Sequence, residues 1–381
     1  MERRLICNAF FLGISFSLMA MVFLAFLSIA VSCPLIVAEK IMEPIKIGLP
    51  SLFSKKVLKE PLYVSGWISD GKGVSSFVKN IELFDEINPV FYQVKKDGTL
   101  FTSDSASYGK KEELIIAAYS KKILLVPTLQ DISLNSTEAT MRLLKDENHI
   151  NEIVKVVVEN GYDGIDIDYE NLSPKGKDDF TSFVQKLGAK LKEKEKQLSI
   201  TVNYKTSDTQ IWAMPGTQDW GKLLEHVDTL KVMVYNCHTL RTKPGPIAPL
   251  SLIKAVLDYA ARFENAKGKI VIGIPFYGYD WPRRAVRACD VTKLLKDRNV
   301  KIMREDLKHS GDLGNVEPYF EYTEGEVKHT VYYQDTVAIR ERLKLINSYH
   351  GLVKGVTFWC LGGEDQNFWK EVEVYRRESK E

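Results

Sequence analysis

The chain has 381 residues, 45% hydrophobic, 10% aromatic and 27% charged, enough for one large globular domain or two medium ones. A net charge of +2 excludes a strong overall field for nucleic acid, so no nucleic-acid partner is expected. Five cysteines, two of them (Cys7 and Cys33) in or beside an apolar run, leave an odd three at Cys237, Cys289 and Cys360, which is no disulfide framework.

That apolar run is the first element. Behind Arg3 and Arg4 no charged residue occurs from Leu5 to Ala38, and residues 16–31 read FSLMAMVFLAFLSIAV. A basic start followed by an apolar stretch is an export signal, and this one is about long enough to span a bilayer. No small-x-small cleavage site follows, and SIAVSC, ending at Cys33, is a poor lipoprotein box. Residues 1–38 are therefore expected to be a signal peptide or a membrane anchor. The protein would then be exported, anchored on the outer face or secreted and wall-associated. Residues 39–60, with two prolines and no clear period, read as a linker.

Beyond it, short apolar runs alternate with amphipathic stretches. The runs are LYVSGWI (62–68), PVFYQV (89–94), KILLVPT (122–128), GIDIDYE (164–170), LSITVNY (198–204), TLKVMVY (229–235), IVIGIPFY (270–277) and GVTFWCL (355–361). Each has the length and the Val, Ile, Tyr and Phe content of a strand buried on both faces. Helical spacing occurs in 145–160 (Ile150, Ile153, Val154, Val157, then Gly161 as a stop) and in 176–196 (Phe180, Phe183, Val184, Leu187, Leu191). Similar patterns lie near 75–87, 112–120, 218–227, 251–263 and 335–349. Eight strands alternating with helices over residues 61–375 predict an α/β fold, a (β/α)8 TIM barrel. A doubly wound open sheet competes, but no glycine-rich loop follows the first strand. Residues 280–334 break the rhythm with DVTKLLKDRN, PYFEYTEG and KHTVYYQ, which read as one helix and a hairpin. This small α+β insertion after strand seven would wall the cleft, because loops at the C-terminal ends of barrel strands build the active site.

The chemistry concentrates in GYDGIDIDYENL (161–172). Strand side chains alternate faces, so Asp166, Asp168 and Glu170 share one face and Ile165, Ile167 and Tyr169 the other. In a barrel the carboxylates line the interior, with Glu170 at the mouth. Crowded carboxylates raise at least one pKa, which keeps an acid protonated near neutral pH. A metal site is the competing reading, but alternate strand residues stand about 6.6 Å apart, too far for three to hold one ion easily. The six histidines show no paired spacing either, so neither metal nor cofactor is expected.

The stretch resembles the D-G-x-D-x-D-x-E signature of glycoside hydrolase family 18, the chitinase family. The resemblance continues in order over roughly residues 62 to 372: VMVYN (232–236) resembles the family's M-x-Y-D strand and GVTFWCLGGED (355–365) its terminal tryptophan strand. NYKTSD (203–208), GPIAPLSLIKAVLDYA (245–260), IGIPFYGYDW (272–281) and YYQDTVAIRERLKL (332–345) are similar to the spore cortex-lytic N-acetylglucosaminidase branch, which acts on peptidoglycan. The resemblance implies substrate-assisted catalysis. Glu170 would protonate the glycosidic oxygen while the substrate's 2-acetamido carbonyl attacks. Asp168 would hold the acetamido N–H, Asp166 would tune the proton on Asp168, and Tyr235 would donate to the acetamido oxygen. Trp359 would lie under the sugar. Trp67, Tyr92, Tyr277 and Trp281 either line the groove or pack. Asn236 departs from the family's usual acid and is expected to shift the pH profile. Sequons at Asn135 and Asn171 read as chance matches, since a glycan beside Glu170 would block the mouth.

The expected partner is a polysaccharide containing N-acetylglucosamine, with the membrane engaged through the N-terminal segment. Within the enzyme reading, chitin or an N-glycan core competes with peptidoglycan. A catalytically silent, lectin-like barrel is the second class of function, but such members usually lose the acid, and Glu170, Asp168 and Tyr235 are all present here.

Overall fold

Tyr63–Ile68 (β1) is buried at five of its six positions, as a strand must be when helices cover one face and a barrel interior the other. This computed structural model describes residues 61–102, 110–209, 213–298, 300–304, 314–365 and 367–378. The apolar N-terminal segment and the linker lie outside these residues.

The second strand is interrupted, giving β2 (Glu86–Pro89) and β3 (Tyr92–Val94), with β4 (Leu100–Thr102) antiparallel on β3. The third is interrupted likewise, as β5 (Leu124–Leu125) and β6 (Thr128–Gln130), with Pro127 in the break, where its missing N–H costs no ladder bond. β7 (Gly164–Asp168), β8 (Gln197–Asn203), β9 (Thr229–Met233) and β10 (Ile270–Pro275) follow. Next come β11 (Tyr277–Trp281), β12 (Arg284–Arg287), β13 (Tyr319–Glu324), β14 (Val327–Tyr332) and β15 (Val353–Trp359). Parallel pairing runs from β6 through β7, β8, β9, β10 and β15 to β1 and β2. β2 then pairs with β5, and β3 with β6, so the two broken strands meet side by side and the curled sheet is TIM-barrel-like.

Helices pack outside as their periodicity requires. Lys177–Lys192 buries Phe180, Phe183, Val184, Leu187 and Leu191, the five positions its spacing singles out. Glu147–Glu159 ends before Gly161, whose φ of +68° continues the chain in the left-handed region. The helix expected near 75–87 instead runs Gly71–Lys79, because Asp70 caps it by accepting the backbone N–H groups of Lys72 and Gly73. The stretch near 218–227 yields only Trp220–Leu223.

The insertion is larger than a helix and a hairpin. β11 to β14 form a four-stranded antiparallel sheet in the order β12-β11-β14-β13, beside the helix Ala288–Arg298. It begins at Tyr277: the apolar run 270–277 conceals a break at Phe276, whose N–H donates to the Trp359 carbonyl. Val286, Val291, Phe320, Tyr322, Val331 and Tyr333 give it a core of its own. Glu317 ties it to the barrel by accepting from the N–H groups of Ile247 and Ala248 and from Arg342. Cys237, Cys289 and Cys360 are unbridged.

The barrel interior is charged. Lys231 on β9 is fully buried, with Nζ 2.8 Å from Glu86 and 3.5 Å from Asp166. Glu86 also accepts from the hydroxyl of Tyr63 (2.6 Å) and the amide of Asn88 (2.8 Å). Burial alone would push the pKa of Glu86 up, but Lys231 and these donors together hold it below the usual value. Lys231→Met would strand two buried carboxylates and should destabilise the fold by about 3–5 kcal/mol. Denaturant unfolding checks this; an unchanged midpoint contradicts it.

Candidate active site

β7 places its carboxylates by alternation. Ile165 and Ile167 pack outward in the core while Asp166 and Asp168 face the interior, and all four are buried. Asp166 accepts from Trp67 Nε1 (3.1 Å), Thr128 Oγ1 (3.0 Å), Ser199 Oγ (2.7 Å) and Thr201 Oγ1 (3.1 Å), with Lys231 beyond. Four neutral donors and a cation thus surround its two oxygens.

Asp168, one turn of the pleat nearer the mouth, has less support. Its Oδ2 accepts from Gln130 Nε2 at 2.8 Å, while its buried Oδ1 has no hydrogen-bond partner. Burial first, then the charge of Glu170, push its pKa well above the carboxylate range, against the opposing Gln130 bond. Glu170 stands at the rim with an exposed side chain, yet the protein crowding its carboxyl, and then the charge of Asp131, raise its pKa as well. Tyr235, just past the end of β9, is buried, and its phenol stays protonated. Burial, Tyr277 and the two carboxylates Asp168 and Glu170 push its pKa well above 10.

The expected sugar-contacting residues divide. Trp359, at the end of β15, is half-buried and stands edge-on to Trp67, with ring centroids 6.0 Å apart. Trp359, Asn236 and Tyr277 line a cavity of about 420 Å³ together with Phe276, Tyr279 and Cys360. Trp67 is 2% exposed and serves Asp166 from below, so it offers no surface to a sugar. Tyr92 is buried, its hydroxyl 3.0 Å from that of Tyr162, and Trp281 is buried with its indole N–H on the Thr239 carbonyl. These three pack. Neither that cavity nor a larger depression of about 1040 Å³, bordered by Lys72, Ser76, Glu364 and Trp369, is lined by the carboxylates of β7.

Asn236 has φ +63°, a left-handed conformation that asparagine adopts more readily than most residues. Its Oδ1 accepts from the hydroxyls of Tyr277 (2.5 Å) and Tyr279 (3.0 Å). With the oxygen so held, the amide offers N–H donors where an acid would offer only acceptors.

Gln130, Asp131, Lys231 and Tyr279 belong to the site but are not evident from the carboxylate stretch. Register provides the missing signal for two of them. Gln130 pairs with Asp168, so the residue after Gln130 must lie beside the start of the loop carrying Glu170. Tyr279 shares a strand face with Tyr277, two residues away.

A sequence model of the family described as Glycosyl hydrolases family 18 matches residues 61–364, and the chain belongs to that family. The chain is thus a glycoside hydrolase by family. It is 25% identical over 285 residues to the cortical fragment-lytic enzyme of Bacillus subtilis (strain 168), a match covering 71% of this chain and 63% of that enzyme. Two solved structures share the fold. The chitinase from Chromobacterium violaceum ATCC 12472 has a TM-score of 0.74 at 21% identity, over 82% of this chain and 98% of that one. The Bacillus megaterium QM B1551 spore cortex-lytic enzyme SleL has a TM-score of 0.71 at 22% identity, over 83% and 74%.

The raised pKa of Asp168 has a consequence for stability. The folded state binds that proton more tightly than the unfolded chain does. The resulting stabilisation is full below the ordinary carboxylate pKa and is lost as pH rises towards the raised value. Asp168→Asn removes the loss, so its melting temperature should exceed that of the parent at neutral pH and approach it in acid. Thermal unfolding across pH measures this; parallel curves for the two proteins contradict it.

Proposed function

We propose that this family 18 hydrolase is a retaining glycosidase that cleaves β-linked N-acetylglucosamine-containing polymer, with peptidoglycan as the substrate and the substrate's own acetamido group as the nucleophile. The observation that carries this reading is the buried, partnerless Oδ1 of Asp168, within electrostatic reach of both Glu170 and Tyr235. An acetamido N–H is a donor of the right kind for that oxygen, and Tyr235 is a donor suited to the acetamido carbonyl.

Asp168 and Glu170 repel each other's charge, so ionisation of one favours the proton on the other, and they titrate as a pair. With the proton on Glu170, that residue donates it to the leaving glycosidic oxygen. Asp168, then ionised, takes the acetamido N–H and offsets the positive charge developing on the oxazolinium ring. Tyr235 orients the carbonyl oxygen for attack on the anomeric carbon, an effect of positioning. Water then opens the ring, with Glu170 as base, and the net configuration is retained. Asp166, held by four donors, supplies a fixed negative charge that discourages ionisation of Asp168 until the N–H arrives. Trp359 offers an apolar floor, and Asn236 offers amide hydrogens to a sugar hydroxyl.

The choice of peptidoglycan rests on the branch resemblance of the sequence and on similarity to the cortical fragment-lytic enzyme. The apolar run at 5–38 supports an exported protein, tethered by that run or released. The described residues contain no helix long and apolar enough to cross a membrane.

Residues 40–381 incubated with peptidoglycan and with chitin oligomers, followed by borohydride reduction and mass spectrometry, test the reading. N-acetylglucosaminitol-ended fragments from peptidoglycan are expected. Glu170→Gln should lower the rate by about 10²–10⁴-fold, the usual worth of general acid catalysis. Cleavage of chitin alone would move the substrate to chitin; binding without cleavage of either would favour the lectin-like reading. Asn236→Asp should shift the alkaline limb of the pH–rate profile upward, because added negative charge near the cleft favours the protonated acid. An unmoved profile would contradict this.

A further inference from the structure

Asp131, the residue directly after β6, is wholly buried and makes three contacts of one kind. Its Oδ1 accepts the backbone N–H of Glu170 at 2.8 Å; its Oδ2 accepts the N–H of Asn171 at 3.1 Å and the hydroxyl of Thr140 at 2.7 Å. The Asn171 side-chain amide returns the contact, donating to the Asp131 carbonyl at 2.9 Å. The two residues that carry the chain out of β7 are thereby pinned to the end of the neighbouring strand. Thr140, on the helix Thr137–Leu143, pins the carboxylate from the other side. Backbone N–H groups on both oxygens suit the acceptor-only form of a carboxylate. Among the described residues, Asp131 has no lysine, arginine or histidine as a hydrogen-bond or ion-pair partner.

We propose that Asp131 is a positioning residue for Glu170, fixing the backbone that carries the acid and placing an uncompensated negative charge behind it. This rests on Glu170 being the proton donor, as argued above. Three groups face Glu170: Asp168 from the end of β7, Asp131 from the end of β6, and Tyr235 from the end of β9. After burial, the charge of Asp131 is the main cause of the raised Glu170 pKa. A single buried side chain therefore sets both where the acid points and over what pH range it keeps its proton. Asp168 gains from the same charge to a lesser degree, after the effects of burial, Glu170 and Asp166.

A structural role and an electrostatic one separate in a titration. Full-length chain labelled with ¹³C at the glutamate carboxyls is titrated by NMR, the Glu170 resonance being identified by its loss in Glu170→Gln. Asp131→Asn keeps one acceptor and removes the charge. Asp131→Ser, whose hydroxyl also accepts backbone N–H groups, removes the charge in a smaller side chain and serves if the asparagine variant does not fold. The expected result is a lower Glu170 pKa in either variant and a matching downward move of the alkaline limb of kcat/KM. Thr140→Val, which leaves the charge in place, should move neither. A folded Asp131 variant with the Glu170 titration unmoved overturns the proposal. Turnover retained in Glu170→Gln overturns the acid assignment instead, and the ¹³C titration still reports on the charge coupling.

Discussion

A strand that puts Asp166 and Asp168 inside a curled, TIM-barrel-like sheet must find partners for carboxyl groups that water cannot reach, and the rest of the interior is arranged around that constraint. Lys231 sits between Glu86 and Asp166, and hydroxyls from β6 and β8 complete the shell of Asp166. A buried charge left unpaired costs several kcal/mol, so these interior polar residues are coupled to one another and to the fold. The compensation fades along β7. Asp166 has a full set of donors, Asp168 has one, and Glu170 is influenced chiefly by burial and another carboxylate. That gradient leaves a carboxyl rich in donors at one end of the strand and two carboxyls of raised pKa at the other.

The insertion contributes differently. Its first strand presents Tyr277 and Tyr279 to Asn236, while its interior is held by Phe320, Val331 and the pair formed by Asp280 and His329, 2.7 Å apart. The insertion forms a wall of the cavity beside Trp359 through Tyr277, Tyr279, Ala285 and Val286. The anchoring of Glu317 to Ile247, Ala248 and Arg342 keeps that wall in register with the barrel. The aromatic residues that sequence leaves open between groove and core are divided by this packing: Tyr277 borders the cavity beside Trp359, and Trp281 and Tyr92 are enclosed.

Much of the barrel is legible in the sequence because both faces of a parallel strand are buried, so each strand is an apolar run that a helix pattern separates from the next. The alternation in GIDID likewise yields the facing of Asp166 and Asp168 without a structure. Interruptions are harder to see: the break at Phe276 lies inside a continuous apolar run, and its backbone bonds to Trp359 and Ala288 mark where the insertion begins. Residues that act across strands, such as Asp131, Gln130 and Lys231, lie far in sequence from the carboxylate stretch. Their roles depend on register between strands far apart in the chain, and no local pattern records it.

In the proposed reaction the substrate's own carbonyl, steered by Asp168 and Tyr235, attacks the anomeric carbon. The most direct test of that attack is the rate of cleavage of aryl β-glycosides of N-acetylglucosamine oligomers in which the reacting N-acyl group carries zero, one, two or three fluorines. Each fluorine weakens the carbonyl as a nucleophile, so kcat/KM should fall progressively and steeply across the series. A rate that is flat across the series would mean that the acetamido oxygen does not attack, and would contradict the account.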